Sequence, residues 1–305
     1  MTATFPWDGQ TRHWRDRALA WGAKTMVRPM LRREASWASH RRGFRTAAAL
    51  RLPARARGVT WRPLALGPGG ALEVRPEAPE RRLLYIHGGG FVLGTPRTHL
   101  VLLTHLARAA NAAILAPAYR LAPEHPFPAA PEDVEAAADA ALGWRSDLGP
   151  LFLGGDSAGG CLALVALLHL LRRGAGPLGG TVLFSPATIV DPARPVPEAD
   201  DLLFPEILLH RIGAAYAGAA DPSDPRLAPV HGDYTGAPPT LIHCVAGEFL
   251  EEDSDTLAAR LHAQGVPVTL EKVRAMPHAW HFMAGSSPLA DDAVARAGTF
   301  IGALA

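Results

Sequence analysis

Gly155-Asp156-Ser157-Ala158-Gly159 reads G-x-S-x-G, with the apolar run LFLGG (151–155) before it and a helical pattern over 158–173 after it. In a strand–turn–helix setting, small flanking residues permit a turn sharp enough to push the serine hydroxyl out of a sheet. The helix N-terminus behind it favours developing negative charge. That is a serine placed for nucleophilic acyl transfer. With 30 Gly and 9 Ser among 305 residues, the pattern arises by chance about 0.1 times per chain. The setting therefore counts for more than the pattern.

A second motif, His87-Gly88-Gly89-Gly90, follows another short apolar run, RRLLYI (81–86), and is expected by chance only about 0.01 times. Three glycines let backbone N–H groups approach a ligand with no Cβ in the way, as the oxyanion of a tetrahedral acyl intermediate requires. A base must follow. Of thirteen histidines, His278 and His281 in MPHAWHF (276–282) lie beyond the last expected strand, where a base reached in the chain order serine, acid, histidine belongs. No H-E-x-x-H is present, so the sequence gives no support to a zinc hydrolase.

These residues need a frame. From about residue 60 the chain alternates short apolar runs with helical stretches. A hairpin is expected over 59–66 and 71–76, and strands at 81–86, 112–120, 151–155, 181–186, 240–247 and 267–273. Helices are expected near 98–110, 131–145, 158–173, 253–264 and 289–303. Nearly continuous apolar strands alternating with helices imply an α/β fold with a mostly parallel central sheet covered on both faces. Ligand chemistry then belongs at the carboxyl ends of the strands. Two segments fall outside the alternation: 1–55, helical and arginine-rich, and about 187–220, a Pro/Asp-rich stretch leading into a helix. Both are expected to cover the strand ends as a lid. In the first, Trp14, Trp21, Met30, Leu31 and Trp37 recur among the arginines at a spacing that suggests amphipathic helices with the arginines outward.

Composition excludes several classes. The chain is 48% hydrophobic and 19% charged, which supplies a large core and carries no disorder signature. Net charge is +1, which argues against a nucleic-acid binder, although residues 1–60 hold 13 Lys+Arg against 3 Asp+Glu. Two cysteines, Cys161 and Cys244, cannot make a disulfide framework. No apolar stretch reaches 18 residues and the N-terminus lacks an apolar signal core, so a cytoplasmic protein without a membrane span is expected.

Four blocks, YIHGGGFVLG (85–94), PAYRLAPEHPFPAAPEDV (117–134), GGDSAGG (154–160) and MPHAWHF (276–282), stand in the order found in the hormone-sensitive-lipase-like (bacterial type IV) esterases of the α/β-hydrolase fold. The chain resembles that family over roughly residues 55–305. The resemblance implies an α/β-hydrolase catalytic domain over 56–305, a helical cap built from 1–55 and about 187–220, Ser157 as nucleophile and His278 as base. It also implies an oxyanion hole from the N–H groups of Gly88, Gly89, Gly90 and Ala158, and a structural brace at Tyr119, Arg120 and Glu124. The acid departs from the family's commoner Gly-x-Asp: here the stretch is VAGEFLEED (245–253), which offers Glu248, Glu251, Glu252 and Asp253. Glu248 directly follows the strand-like LIHCVAG, whereas residues from 253 onward read as a helix start, so Glu248 is the expected acid and Asp253 its rival.

The implied activity is serine carboxylesterase action on small to medium carboxylic esters through an acyl-enzyme. A pathway-specific deacetylase or lactonase would share every motif, and a non-catalytic small-molecule receptor of the same fold would be expected to lack the base. Neither cofactor nor metal is expected. The expected partners are a small-molecule ester and, in a homodimer, a second copy of the chain, with no nucleic acid.

Overall fold

The computed structural model describes residues 13–304 apart from 33, 196, 198 and 222. The chain opens with α1 (Trp14–Gly22), a π-helical turn (Ala23–Val27), α2 (Arg28–Leu31) and α3 (Trp37–Arg51). There follow β1 (Val59–Leu64), β2 (Ala71–Pro76), β3 (Arg81–Ile86), α4 (Leu100–Ala109), β4 (Ala112–Pro117), α5 (Ala129–Gly143), β5 (Leu151–Asp156), α6 (Ala158–Arg172) and β6 (Leu178–Phe184). After α7 (Glu206–Tyr216) the alternation resumes with β7 (Thr240–Val245), α8 (Glu251–Ala263), β8 (Val268–Val273) and α9 (Pro288–Ala303).

The strands form one eight-stranded sheet in the order β1-β2-β4-β3-β5-β6-β7-β8. β2 runs antiparallel to both β1 and β4, and every later pairing is parallel. The expected hairpin, strands and helices are all present, with ends shifted by a few residues. Every residue of β4, β5 and β7 is buried, which explains why these strands read as apolar runs without alternation. One face packs α5, α6 and α8 through residues such as Val134, Leu164 and Leu257; the other packs α4 and α9 through Leu103, Leu106 and Ile301. β3, β5, β7 and β8 all point their carboxyl ends the same way, so the loops after them share one edge of the sheet.

The two segments outside the alternation pack on each other. Arg28 Nε donates to the Phe204 carbonyl at 3.3 Å, and Arg211 Nη2 donates to the Ala35 carbonyl at 2.7 Å. The Arg211 guanidinium lies 4.9 Å from the Trp37 ring centroid. The expected polarity of the N-terminal helices is reversed at several positions. Trp14 and Trp21 are each 65% exposed and Met30 59%, while the buried residues of α1 and the turn after it are Asp16, Ala20 and Ala23. Several arginines point inward instead. Arg41 reaches the Val92 and Ala122 carbonyls, both at 2.7 Å, and forks onto Glu124; Arg51 reaches the carbonyls of Phe282 and Ala284. A loop-rich surface presents many unpaired carbonyls, and a guanidinium with five donors satisfies them better than an indole can. Residues 1–12 of this segment lie outside the described residues.

Candidate active site

β5 passes into α6 through Ser157, whose φ of 53° and ψ of −124° lie in a region that L-residues rarely occupy. The flanking glycines make this turn possible. A Cβ on Gly155 would stand 2.3 Å from the Gly159 carbonyl oxygen, and one on Gly159 only 2.2 Å from the Ile86 carbonyl oxygen. The turn is pinned to the neighbouring strand by Ser157 N–H donating to the Phe184 carbonyl at 2.9 Å. Ser157 keeps 9% exposure and lines an apolar pocket of about 180 Å³.

The glycine loop follows β3. Gly89 and Gly90 have φ of 119° and 60°, and a side chain on Gly90 would collide with Ile212 of α7. Both glycines line the pocket beside Ser157 and Ala158. Among the described residues no loop or side-chain acceptor engages the N–H groups of Gly89, Gly90 or Ala158, and the last, as the first residue of α6, has no intrahelical acceptor. Gly88 differs from the expectation. Its N–H is committed to the Asp156 Oδ1 at 3.1 Å, with the His99 Nε2 at 3.2 Å, so it points at the structure beneath the loop and not at an open site. The physical reason is burial: Asp156 is 2% exposed and needs donors, and Gly88 N–H and Tyr85 Oη, at 3.0 Å, supply them. Burial pushes the Asp156 carboxyl up, but His99, aided by Tyr85, more than offsets this and holds it below the usual carboxylate range. Burial, reinforced by His99, takes His87 down to about 3, so its ring is neutral. That ring stacks on Tyr119 at 4.2 Å, and Tyr119 Oη donates to the His87 carbonyl at 2.9 Å. Arg120 forks onto Asp133 and Glu124 receives Arg41, so all three brace residues are structural.

Of the two candidate bases, His278 places Nδ1 2.7 Å from Glu248 Oε2, both residues being about 95% buried. The other Glu248 oxygen accepts the Val245 N–H at 2.9 Å, which fixes the carboxylate against the end of β7. His278 Nε2 has no hydrogen-bond partner among the described residues. Burial lowers the His278 pKa, and Glu248 more than offsets it, with smaller help from Asp201 and Asp156, leaving it above the ordinary histidine value. His281 is engaged elsewhere. Its Nε2 lies 2.9 Å from His243 Nδ1, its ring stacks on Phe184 at 3.7 Å, and burial together with His243 and His278 pushes its pKa well below the usual value.

The rival carboxylates have other partners. Asp253 accepts from the Thr188 N–H at 2.6 Å and the Ile189 N–H at 3.3 Å, and pairs with Arg194 at 2.6 Å. Glu251 takes Lys272 and the Gly247 N–H, and Glu252 takes Arg194. What the motifs did not reveal is the roof. Phe204, Leu208 and Ile212 come from the 187–220 segment and line the pocket, and the Phe204 ring centroid is 4.7 Å from that of His278. These are ordinary apolar residues with no spacing signal. A larger open groove of about 950 Å³ between Arg28, Arg32 and Glu206 shares Pro197 and Phe249 with the pocket but does not reach Ser157. Among the described residues no cluster of His, Cys, Asp and Glu could hold a metal ion, and no helix is long and apolar enough to cross a membrane.

A mostly parallel sheet covered on both faces, with Ser157, Glu248 and His278 in the loops beyond its strand ends, makes this an α/β hydrolase, and a family model described as alpha/beta hydrolase fold matches residues 83–282. An acetyl-hydrolase of Streptomyces hygroscopicus is 39% identical over 233 residues, covering 75% of this chain and 78% of that protein. The esterase LipI of Mycobacterium tuberculosis is 33% identical, covering 75% and 77%. The crystal structure of an esterase from the bacterial hormone-sensitive lipase family superposes with a TM-score of 0.83 at 31% identity, over 94% of this chain and 98% of that one. The chain belongs to the hormone-sensitive-lipase-like esterases of the α/β-hydrolase fold and is a carboxylic ester hydrolase.

Proposed function

We propose that Ser157, His278 and Glu248 form the catalytic triad, that the N–H groups of Gly89, Gly90 and Ala158 form the oxyanion hole, and that 13–55 with 187–220 form a cap over a catalytic domain spanning 56–305. The observation that carries the reading is the buried 2.7 Å contact between His278 Nδ1 and Glu248 Oε2, which leaves Nε2 as the one ring nitrogen without a partner. Glu248 holds the proton on Nδ1, so Nε2 is bare and basic. His278 takes the Ser157 proton as the hydroxyl oxygen attacks the acyl carbonyl. The carbonyl oxygen becomes an oxyanion facing the free N–H groups. As the tetrahedral intermediate collapses, His278 returns the proton to the departing alcohol. Water, deprotonated by the same nitrogen, then attacks the acyl-serine, and His278 returns that proton to Ser157 Oγ as the carboxylic acid departs. Nothing in these steps calls for a metal or an organic cofactor.

Short acyl groups are the best match. A pocket of about 180 Å³ is below the roughly 300–1,000 Å³ typical of drug-sized ligands, and one relative bears the name acetyl-hydrolase. Both cysteines are buried and unpaired, which supports a cytoplasmic setting. The test is turnover of p-nitrophenyl esters from acetate to decanoate by the wild type and by Ser157→Ala. Short esters should be preferred, and the variant should fold normally while losing on the order of 10⁶-fold in kcat. A variant that kept a tenth of wild-type turnover would remove Ser157 as nucleophile.

A further inference from the structure

We infer that Asp201, a buried carboxylate outside the triad, is a positioning residue that ties the 187–220 segment to the catalytic histidine, so that the base reaches its working state only with that segment docked. The inference rests on the triad reading above.

Asp201 is 3% exposed, and among the described residues no lysine or arginine lies within ion-pair range of it. A buried carboxylate without a cation is costly, so its surroundings must supply compensation. Three N–H groups do part of this. Oδ1 accepts from Leu203 at 2.8 Å and Phe204 at 2.7 Å, and Oδ2 faces the Phe249 N–H at 3.4 Å. The first two are local to the cap segment. The third crosses to the residue directly after Glu248. Asp201 thus joins the turn carrying the triad acid to the backbone of Phe204, whose ring lies against His278. Arg28 holds the opposite side of that residue through its carbonyl.

The charged and titratable groups around His278 come from several elements. Glu248 follows β7, Asp201 belongs to the cap segment, Asp156 ends β5, and His281 follows in its own loop. Asp200, next in the chain, is exposed and paired with Lys24. The cation that Asp201 interacts with is the imidazolium that forms on His278 during the reaction. Burial pushes the Asp201 carboxyl up and His278 draws it back part of the way; reciprocally, Asp201 raises His278. A second negative charge stabilises the imidazolium formed when Ser157 is deprotonated, and it arrives on the segment that roofs the pocket. Cap docking and base strength are then one event.

A turn-capping aspartate alone would be replaceable by asparagine, which separates the two roles. Asp201→Asn keeps an acceptor for the Leu203 and Phe204 amides and removes only the charge. The acid limb of its kcat/KM profile should move about half a pH unit or more to lower pH. Its plateau kcat should fall about three- to tenfold, with KM nearly unchanged. Asp201→Ala, which also releases Phe204, should raise KM in addition. In the Ser157→Ala background, NMR titration of His278 with and without Asp201→Asn reads the same downward shift without relying on turnover. It therefore answers even where the nucleophile assignment fails. Asp201→Ser carries the same measurements should the asparagine variant fold poorly. Superimposable pH profiles and His278 titrations would reduce Asp201 to a turn cap and overturn the inference.

Discussion

The edge of the sheet and the segments proposed to cap it, 13–55 and 187–220, are held in place by different physics. At the sheet edge, backbone conformation positions the chemistry. Ser157 is forced to positive φ between glycines whose Cβ atoms would strike main-chain oxygens, and Gly89 turns at φ 119° where a side chain would meet the Leu93 carbonyl. In the cap, long side chains do the positioning. Arg28, Arg41, Arg51 and Arg211 reach main-chain carbonyls far away in sequence. A backbone device tolerates no substitution and leaves a motif; a side-chain clip depends on where two distant segments meet and leaves none. The first kind should therefore fail abruptly in catalysis, the second gradually in stability and KM.

The sharpest way to break this contrast is to exchange two neighbouring carboxylates. Glu248→Gln should lose on the order of 10⁴-fold in kcat, because the wrong tautomer of His278 is then favoured, and its melting temperature should change little. Asp253→Asn, which weakens the tether of Thr188, Ile189 and Arg194, should keep most of kcat. It should lose about 1.5–3 kcal/mol of stability, the range for hydrogen bonds to a charged group, seen as a drop of several degrees in Tm. Kinetics and calorimetry on the pair decide the matter, and the reverse pattern would transfer the acid to Asp253.

Acidity tests the sheet edge from another side. The His278 pKa is raised above its ordinary 6.5, chiefly because Glu248 outweighs burial. If His278 is the base, as proposed, it must be neutral to act, so kcat/KM should fall tenfold per unit as pH drops through a value above 6.5. That raised value also means the Glu248–His278 attraction supports the fold below the unfolded histidine's pKa and fades as pH rises through the folded one. A kcat/KM profile flat down to pH about 5 would contradict the pairing.

The smallest expected effect belongs to the cap. Arg41→Ala removes bonds to the Val92 and Ala122 carbonyls and to Glu124. A loss of about 1.5–3 kcal/mol follows from hydrogen bonds to a charged donor. KM for butyrate esters should rise a fewfold, with kcat within about threefold of wild type. A collapse of kcat with KM unchanged would show that the cap clip acts on the chemistry itself.

Read in the chain, the alternation of apolar runs and helices and the four motif blocks are enough for the sheet and its mostly parallel sense, and they single out Ser157, His278 and Glu248 as the residues proposed to carry the chemistry. Those features are local, because a buried parallel strand must be apolar throughout and a strand-to-helix elbow must be flanked by small residues. The orientation of the N-terminal helices is not legible in the chain: Trp14 and Trp21 imply an inward apolar face, yet Ala20 and Ala23 are buried while both indoles face outward. Gly88 likewise belongs to the oxyanion motif by spacing, and only the buried Asp156 across the sheet edge explains why its N–H is spent. The roof of Phe204, Leu208 and Ile212, the separate duties of Glu248 and Asp253, and the burial of Asp201 beside the base arise from contacts between segments dozens of residues apart. Local sequence sets which backbone shapes are allowed. Which buried carboxylate meets which donor is decided only when the segments pack, since each must find partners from whatever the fold brings within reach.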